Sequence, residues 1–467
     1  MECMPISRRS LLLSTAALAR SAAGAPTLTV KAKRKPSDAW TEYPTRLVAS
    51  LPGFTPGGAS PLAGKWGGRS GWKRAAAGYF RVAEERGRWW LLDPEGRPFI
   101  KAGVCSTAPG RSQANRAAFA DRFGGDARWA EDTVKLLRSL AFNGIGGWSA
   151  VDLFRSAPDR LVYTPSWSFA AGFGKEKKLT FQQPGHTGFA GDAIPVFHPE
   201  FEGWCRAYAQ RLASNRDDPW LLGHYSDNEL PAYADILDRS LRLDPSTPAL
   251  APAFTTAKAW LAARRSPDVT LADVNARDRD DYLEHLFDRY FRVTTAAIRQ
   301  YDPNHLCLGS RLHGGSLKHP GALRAAGRYL DAVAVNVYGR WTPEPELFEA
   351  WRTHLRKPVI VTEFYAKGAD SGFANTTGAG WLVPTQRDRA RFYQHFLLAM
   401  LESRLCVGWD WFKYMDNDPE DASTDPSNRD SNKGLVNNRY EPYADLAEGM
   451  REFNREIYRV IDFFDRA

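Results

Sequence analysis

The 467 residues carry 62 Lys and Arg against 54 Asp and Glu, a formal net charge of +8, with 43% hydrophobic and 25% charged residues. That is an ordinary globular balance with chain enough for a large core, and its basic residues form no run interleaved with aromatics, which counts against a nucleic-acid partner. Five cysteines without a C-x-x-C pair argue against a disulfide scaffold or a zinc cluster.

The chain opens on Ser7-Arg8-Arg9-Ser10, the apolar Leu11-Leu12-Leu13 and a small-residue stretch ending at Ala23-Gly24-Ala25. A charged start, a short apolar run and an A-x-A site predict a signal peptide over 1–25, and the paired arginines point to the twin-arginine route. The expected location is periplasmic or secreted. The apolar run is too short for a stable membrane anchor. Cys3 leaves with the signal, and Cys105, Cys205, Cys307 and Cys406 read as buried thiols. Residues 26–95 read as a Pro/Gly/Ser-rich linker followed by a β-hairpin turned at Arg86-Gly87, after which the main domain runs over 96–467.

In that domain short apolar or β-branched runs alternate with amphipathic helices. The candidate strands are 99–105, 143–148, 161–167, 220–225, 306–310, 332–337, 359–362 and 407–412, with helices between them such as 129–139, 282–301 and 387–402. Eight β-then-α units predict an α/β fold of the (β/α)₈ TIM-barrel type. No Gly-rich phosphate loop follows the first strand, against a dinucleotide fold. Residues 231–280 exceed a simple loop and read as a helical insertion.

In such a barrel chemistry sits at the C-terminal strand ends. The fourth strand ends in Ser226-Asp227-Asn228-Glu229 and the seventh in Glu363; the fifth leads to Arg311 and His313, the sixth to Asn336 and Tyr338, and the eighth to Trp411 and Lys413. A carboxylate ending an apolar strand is hard to explain as packing, because burying it unpaired costs several kcal/mol. Two carboxylates on opposed strands suit glycosidic cleavage: one protonates the leaving oxygen and the other attacks, with retention when they stand roughly 5 to 5.5 Å apart. Arg311 is read as a substrate clamp or as the partner of a catalytic carboxylate. The 16 Trp residues suit sugar stacking as well as core filling, and Trp148 is read either way.

Asn228-Glu229 and Glu363 resemble the catalytic pair of the retaining TIM-barrel glycosidases. That resemblance implies Glu229 as acid/base, Glu363 as nucleophile, Asn228 on the sugar 2-hydroxyl, Tyr338 bonded to the nucleophile and Trp411 under the bound sugar. The passages Gly87-Arg88-Trp89-Trp90-Leu91-Leu92-Asp93-Pro94-Glu95-Gly96, Phe142-Asn143-Gly144-Ile145-Gly146-Gly147-Trp148, Asp227-Asn228-Glu229-Leu230, Thr362-Glu363-Phe364 and Gly408-Trp409-Asp410-Trp411-Phe412-Lys413-Tyr414 resemble the β-agarase-like glycoside hydrolase family 50 group. This implies a β-linked, galactan- or agar-like polysaccharide or its oligosaccharides as substrate. The alternatives are a β-glycosidase of another heteroglycan, an acidic one included, and a non-catalytic glycan-binding protein. No cofactor or metal is expected: there is no H-E-x-x-H or clustered His set, and Asp416, Asp418 and Glu420 lack the glycine of a calcium loop, so they read as a solvated acidic loop.

Overall fold

A computed structural model describes residues 28–58, 60 and 62–466; the expected export signal at 1–25 lies outside the described residues. The architecture is mixed α/β. Eight parallel strands are labelled here in chain order: β1 Lys101–Val104, β2 Gly144–Ile145, β3 Val162–Tyr163, β4 Gly223–Asn228, β5 Leu306–Arg311, β6 Val333–Asn336, β7 Val359–Glu363 and β8 Cys406–Trp411. All lie within or beside the predicted runs. Six form one parallel sheet in the order β3-β2-β1-β8-β7-β6, and β4 and β5 pair in parallel as a two-stranded sheet. Single parallel bridges link the two sheets at both edges: Tyr163 to Leu221 and Ser166 to Tyr225 from β3 toward β4, and Leu312 to Val335 from β5 toward β6.

The strands read as they do because both faces are covered. β7 is Val-Ile-Val-Thr-Glu with every residue buried, the near-continuous β-branched run of a parallel strand between helices. β2 and β3 are shorter than predicted. Gly144, Gly146 and Gly147 supply no side chains there, and regular pairing stops after two residues.

Long helices pack around the sheets. α1 is Asp126–Ser139 and α2 is Ala276–Tyr301. α2 begins six residues earlier than predicted because Asn275 caps it, accepting the Asp278 N–H at 3.0 Å while Asp278 accepts the Asn275 N–H at 3.1 Å. α3, Gln386–Glu402, is buried on nearly every side because α4, Ala444–Arg466, covers its outer face. Phe396 of α3 stacks on Phe364 at 4.7 Å, and Tyr393 accepts the Trp409 indole N–H at 2.9 Å and donates to Asn454 of α4 at 2.7 Å. Each such fully buried aromatic side chain contributes about 1.5–3 kcal/mol. The insertion after β4 holds two helices, Ile236–Leu241 and Ala251–Arg264.

The predicted hairpin is present as Arg81–Glu85 paired with Arg88–Leu92. The stretch before it is not a free linker. Thr29–Ala32 pairs with Thr41–Pro44, Lys33 bridges Leu382, and the Val48 N–H donates to Gln394 of α3 at 3.1 Å. Among the described residues, no helix is long and apolar enough to cross a membrane.

Candidate active site

Four neighbouring strand ends place the two glutamates. Glu363, the last residue of β7, is 5% exposed. Arg311, the last residue of β5, is wholly buried and pairs with Glu363, Nη1 to Oε1, at 2.7 Å. Tyr338, two residues past β6, donates its phenol to Oε2 of the same carboxylate. Asn336, which ends β6, ties the pair together: its amide donates to Glu229 Oε1 at 2.8 Å and Asn228 Oδ1 at 3.1 Å, while its Oδ1 accepts from Thr362, beside Glu363, at 2.7 Å.

Glu229 follows β4 in the left-handed region, with φ +51°. A glutamate held there stores about 1–3 kcal/mol of backbone strain. The turn is fixed from both sides, because its N–H donates to the Arg311 carbonyl at 3.1 Å and its carboxyl is held by Asn336. The Glu229 Oε2 faces two imidazoles, His186 at 3.9 Å and His313 at 4.0 Å. Asp227, just upstream, anchors the turn by accepting the N–H groups of Ala170 at 2.9 Å and Ala171 at 3.0 Å and the Tyr290 hydroxyl at 2.7 Å. Burial nevertheless pushes the Asp227 carboxyl up to about 7.

The two glutamates sit in different surroundings. Burial raises the Glu363 carboxyl above its ordinary value; Arg311 opposes this, the charge of Glu229 adds to it, and the Tyr338 hydrogen bond opposes it again. Burial and the Glu363 charge push the Tyr338 phenol far up, so it stays a donor. Glu363 therefore holds two strong donors suited to an ionised carboxylate, whereas Glu229 receives an amide and faces half-exposed imidazoles.

No family model matches the chain. Among curated proteins it is 24% identical over 370 residues to β-agarase B of Vibrio sp. (strain JT0107), a match covering 71% of this chain and 36% of that protein, so the chain spans about a third of the length of that relative. Among solved structures, BpGH50 superposes with a TM-score of 0.81 at 29% identity, covering 94% of this chain and 96% of that one. The agarase AgWH50C superposes with a TM-score of 0.70 at 21% identity over 86% of this chain and 67% of that one, a likeness of fold. The chain is glycoside hydrolase family 50-like.

In this family 50-like chain the remaining candidates divide. Trp148 is 46% exposed, with the Arg311 guanidinium 4.8 Å from its ring, so it stands at the mouth and not in the core. Lys413 is half-buried, and burial pushes its ammonium down to about 8 against the pull of Asp416 and Asp421. Trp411 corrects the expectation. It is wholly buried, edge-on to Phe364 at 5.5 Å, and its indole N–H donates to the Lys433 carbonyl at 3.0 Å, so no ring face is open to a sugar. Strand alternation turns it into the packing under α3, and the half-buried Phe412 next in sequence stands at the strand end instead.

The acidic loop is also corrected at its root. Asp416 is buried, accepting the Gly434 N–H at 2.7 Å and the Tyr443 hydroxyl at 2.5 Å; only Glu420 among the three is exposed. Two neighbours of the glutamates escaped the sequence reading. His186 arrives on a hairpin, Thr180–Gln183 with His186–Phe189, and Lys433 is buried beside Glu363 with its ammonium 5.1 Å from the Tyr365 ring and 5.2 Å from that of Phe412.

Among the described residues, one His/Asp group has metal-ligand proximity: His224, Asp302 and His305. Its ring nitrogens are all engaged. Trp167 donates to His224 Nδ1 at 3.0 Å, His224 Nε2 meets Asp302 at 2.7 Å, and His305 spans Asp302 at 2.8 Å and the Asp218 carbonyl at 2.9 Å. That arrangement is a hydrogen-bonded brace. A cavity of about 800 Å³ between Val48, Ile100, Phe142 and Tyr458 touches none of the site candidates.

Proposed function

We propose that the chain is a retaining glycoside hydrolase that cleaves β-glycosidic bonds in an agar-like galactan or its oligosaccharides, with Glu229 as acid/base and Glu363 as nucleophile. The observation that carries this reading is the pair of glutamates at the same end of β4 and β7, one held by Arg311 and Tyr338 and the other by Asn336. The likeness to a β-agarase and to BpGH50 supports the substrate class. We read the eight strands as a closed (β/α)₈ barrel, supported by the bridges at both edges of the six-stranded sheet. We also read residues 1–25 as a twin-arginine signal and 96–467 as the barrel domain, with a periplasmic or secreted enzyme as the consequence.

In the proposed cycle Glu229 gives its proton to the glycosidic oxygen as the bond to the anomeric carbon breaks. Glu363 attacks that carbon from the other face and forms a glycosyl ester. Water then attacks the same carbon while Glu229 takes a proton from it, and the ester C–O bond breaks, returning Glu363 as a carboxylate and releasing the sugar with its anomeric configuration kept. Arg311 and Tyr338 hold Glu363 ionised until attack, and release of its charge into the ester frees Tyr338 to follow the ring oxygen. Asn228 holds the sugar 2-hydroxyl and Asn336 fixes Glu229. Trp148, His313 and Lys413 line the sugar path.

The test is incubation of the purified chain with agar, porphyran, other galactan and plant oligosaccharides, products being read by mass spectrometry and initial anomers by proton NMR. Agar-type products with retained configuration, absent in Glu363→Gln, are expected. Products from another glycan only would keep the chemistry and replace the substrate. Undiminished turnover by the folded Glu363→Gln variant would overturn the assignment.

A further inference from the structure

Glu229 keeps one oxygen free for the cleft. Asn336 donates its amide to Oε1, and in the protonated acid the oxygen that accepts is the one without the proton, so the proton sits on Oε2. Oε2 lies 3.9 Å from His186 Nδ1 and 4.0 Å from His313 Nδ1, too far for a direct hydrogen bond to either. A glycosidic oxygen that takes the proton has to enter there. From below the way is shut. Lys101 of β1 and Asp410 of β8 form a wholly buried ion pair, and a Cβ at Gly103 or Gly146 would collide with Asp410. The sugar that departs with the oxygen therefore lies on the mouth side, where His186 stands.

The His186 hairpin offers that sugar a surface. In its antiparallel register Gln183 lies opposite His186 and Phe181 opposite Gly188. Side chains two residues apart on a strand share a face, so Phe181, Gln183 and His186 point the same way. His186 shows that this face is turned to Glu229. Gln182, tied to Asp425, belongs to the other face. Gly188 is bare beneath Phe181: a Cβ there would fall 2.7 Å from Phe181 Cε2 and Cζ and from Gln183 Cγ. The ring thus leans across the space that a side chain would fill, and Phe181 is still 51% exposed. A lone exposed aromatic is ordinary on a surface. This one stands on the face that meets the acid, one same-face step of about 7 Å along the hairpin from the Gln183–His186 pair, with a glycine making room for it.

We propose that this hairpin face is the subsite for the leaving-group sugar, with the Phe181 ring as the platform under its apolar face and Gln183 and His186 reaching its hydroxyls. The assignment rests on Glu229 being the acid. A phenyl ring carries no hydroxyl or N–H, so it suits the C–H face of a pyranose and offers a sulfate or carboxylate no partner to replace its water. The occupant is a neutral pyranose of the glycan chain.

The experiment reads binding apart from turnover. The full chain carrying Glu363→Gln is titrated by calorimetry with agar, porphyran, other galactan and plant hexasaccharides in turn. For the glycan that binds, adding Phe181→Ala is expected to weaken binding about tenfold, as the apolar area covered by the sugar is lost. Gly188→Ala keeps the ring but pushes it aside, and it is expected to weaken binding too; Phe181→Trp is expected to retain it. The side of the cut is read by NMR on deuterated protein with protonated phenylalanine. Saturating the ring signals is expected to mark the sugars at the reducing end, which leave with the glycosidic oxygen, and the mark is expected to fade in Phe181→Ala. Equal affinity in Phe181→Ala, or a mark that fades from the non-reducing end instead, overturns the proposal, as does absence of binding by every glycan. Binding that needs Phe181 in a protein that turns over none of them would keep the platform and sink the proposed activity.

Discussion

Glu363 is gripped at both oxygens, by Arg311 on Oε1 and by Tyr338 on Oε2. Removing the phenol alone leaves the ion pair and the fold in place, so Tyr338→Phe isolates the second grip. A hydrogen bond to a charged group contributes about 1.5–3 kcal/mol. The expected outcome is a fall in kcat of about 10- to 100-fold with KM little moved, measured in initial-rate assays on whichever glycan is turned over. A fall confined to KM would assign Tyr338 to substrate binding. These residues were legible in the sequence because a polar residue closing an apolar strand has few other reasons to be there. His186 and Lys433 were not. His186 comes from a hairpin between β3 and β4, and Lys433 lies on an irregular segment after β8, so no local pattern links either to a strand end. Trp411 was misread for a related reason: proximity to a strand end does not tell which way the side chain points.

Elements beyond the sheet close over the site. The hairpin that carries His186 is fastened to the segment after β8, where Asp425 accepts the Gly185 N–H at 2.8 Å and the Gln182 amide at 3.0 Å. Farther along that segment Asn428 accepts from Lys433, the buried neighbour of Glu363. A chain of contacts thus runs from the hairpin that faces Glu229 to the buried Lys433. In Asp425→Ala the hairpin loses both tethers. Amide exchange over 180–189 is expected to quicken about tenfold, with KM for a polymeric substrate rising several-fold. Exchange at the wild-type rate would show that the tethers do not hold the hairpin. The regular strands and helices were legible because their periods and caps are local. The tethers join residues more than two hundred positions apart and leave no such trace.

For the whole molecule the buried His224–Asp302–His305 brace makes stability depend on pH. Burial alone would raise the Asp302 carboxyl, but the hydrogen bonds from His224 and His305 outweigh it and hold the group well below its usual range. A depressed carboxyl contributes stability that is full above the unfolded-chain value of about 3.9 and is lost as pH falls through the folded value. Asp302→Asn is therefore expected to lower stability by about 3–5 kcal/mol at neutral pH, with the gap narrowing below about pH 4. Urea unfolding at pH 7 and in acid checks this, and a gap that stays constant with pH would remove Asp302 as its source. The succession of eight strands could be read from the sequence, whereas the attachment of residues 28–48 could not. Its strands are four residues long and polar on their outer face, and the segment's partners, Leu382 for Lys33 and Gln394 for Val48, lie far along the chain, where no local pattern points to them.

The bare glycines under Glu363 also set where this protein can change. A methyl group at Gly103, Gly146 or Gly408 would meet Asp410 or Lys101 inside contact distance. Gly103 and Gly146 are closed to other amino acids for as long as the buried Lys101–Asp410 ion pair is kept, and Gly408 is closed by the backbone and Cβ of residue 101 whatever its side chain. New specificity in a family 50-like chain such as this one must then arise in the hairpin and the segments around the mouth, while the floor beneath the glutamates stays fixed.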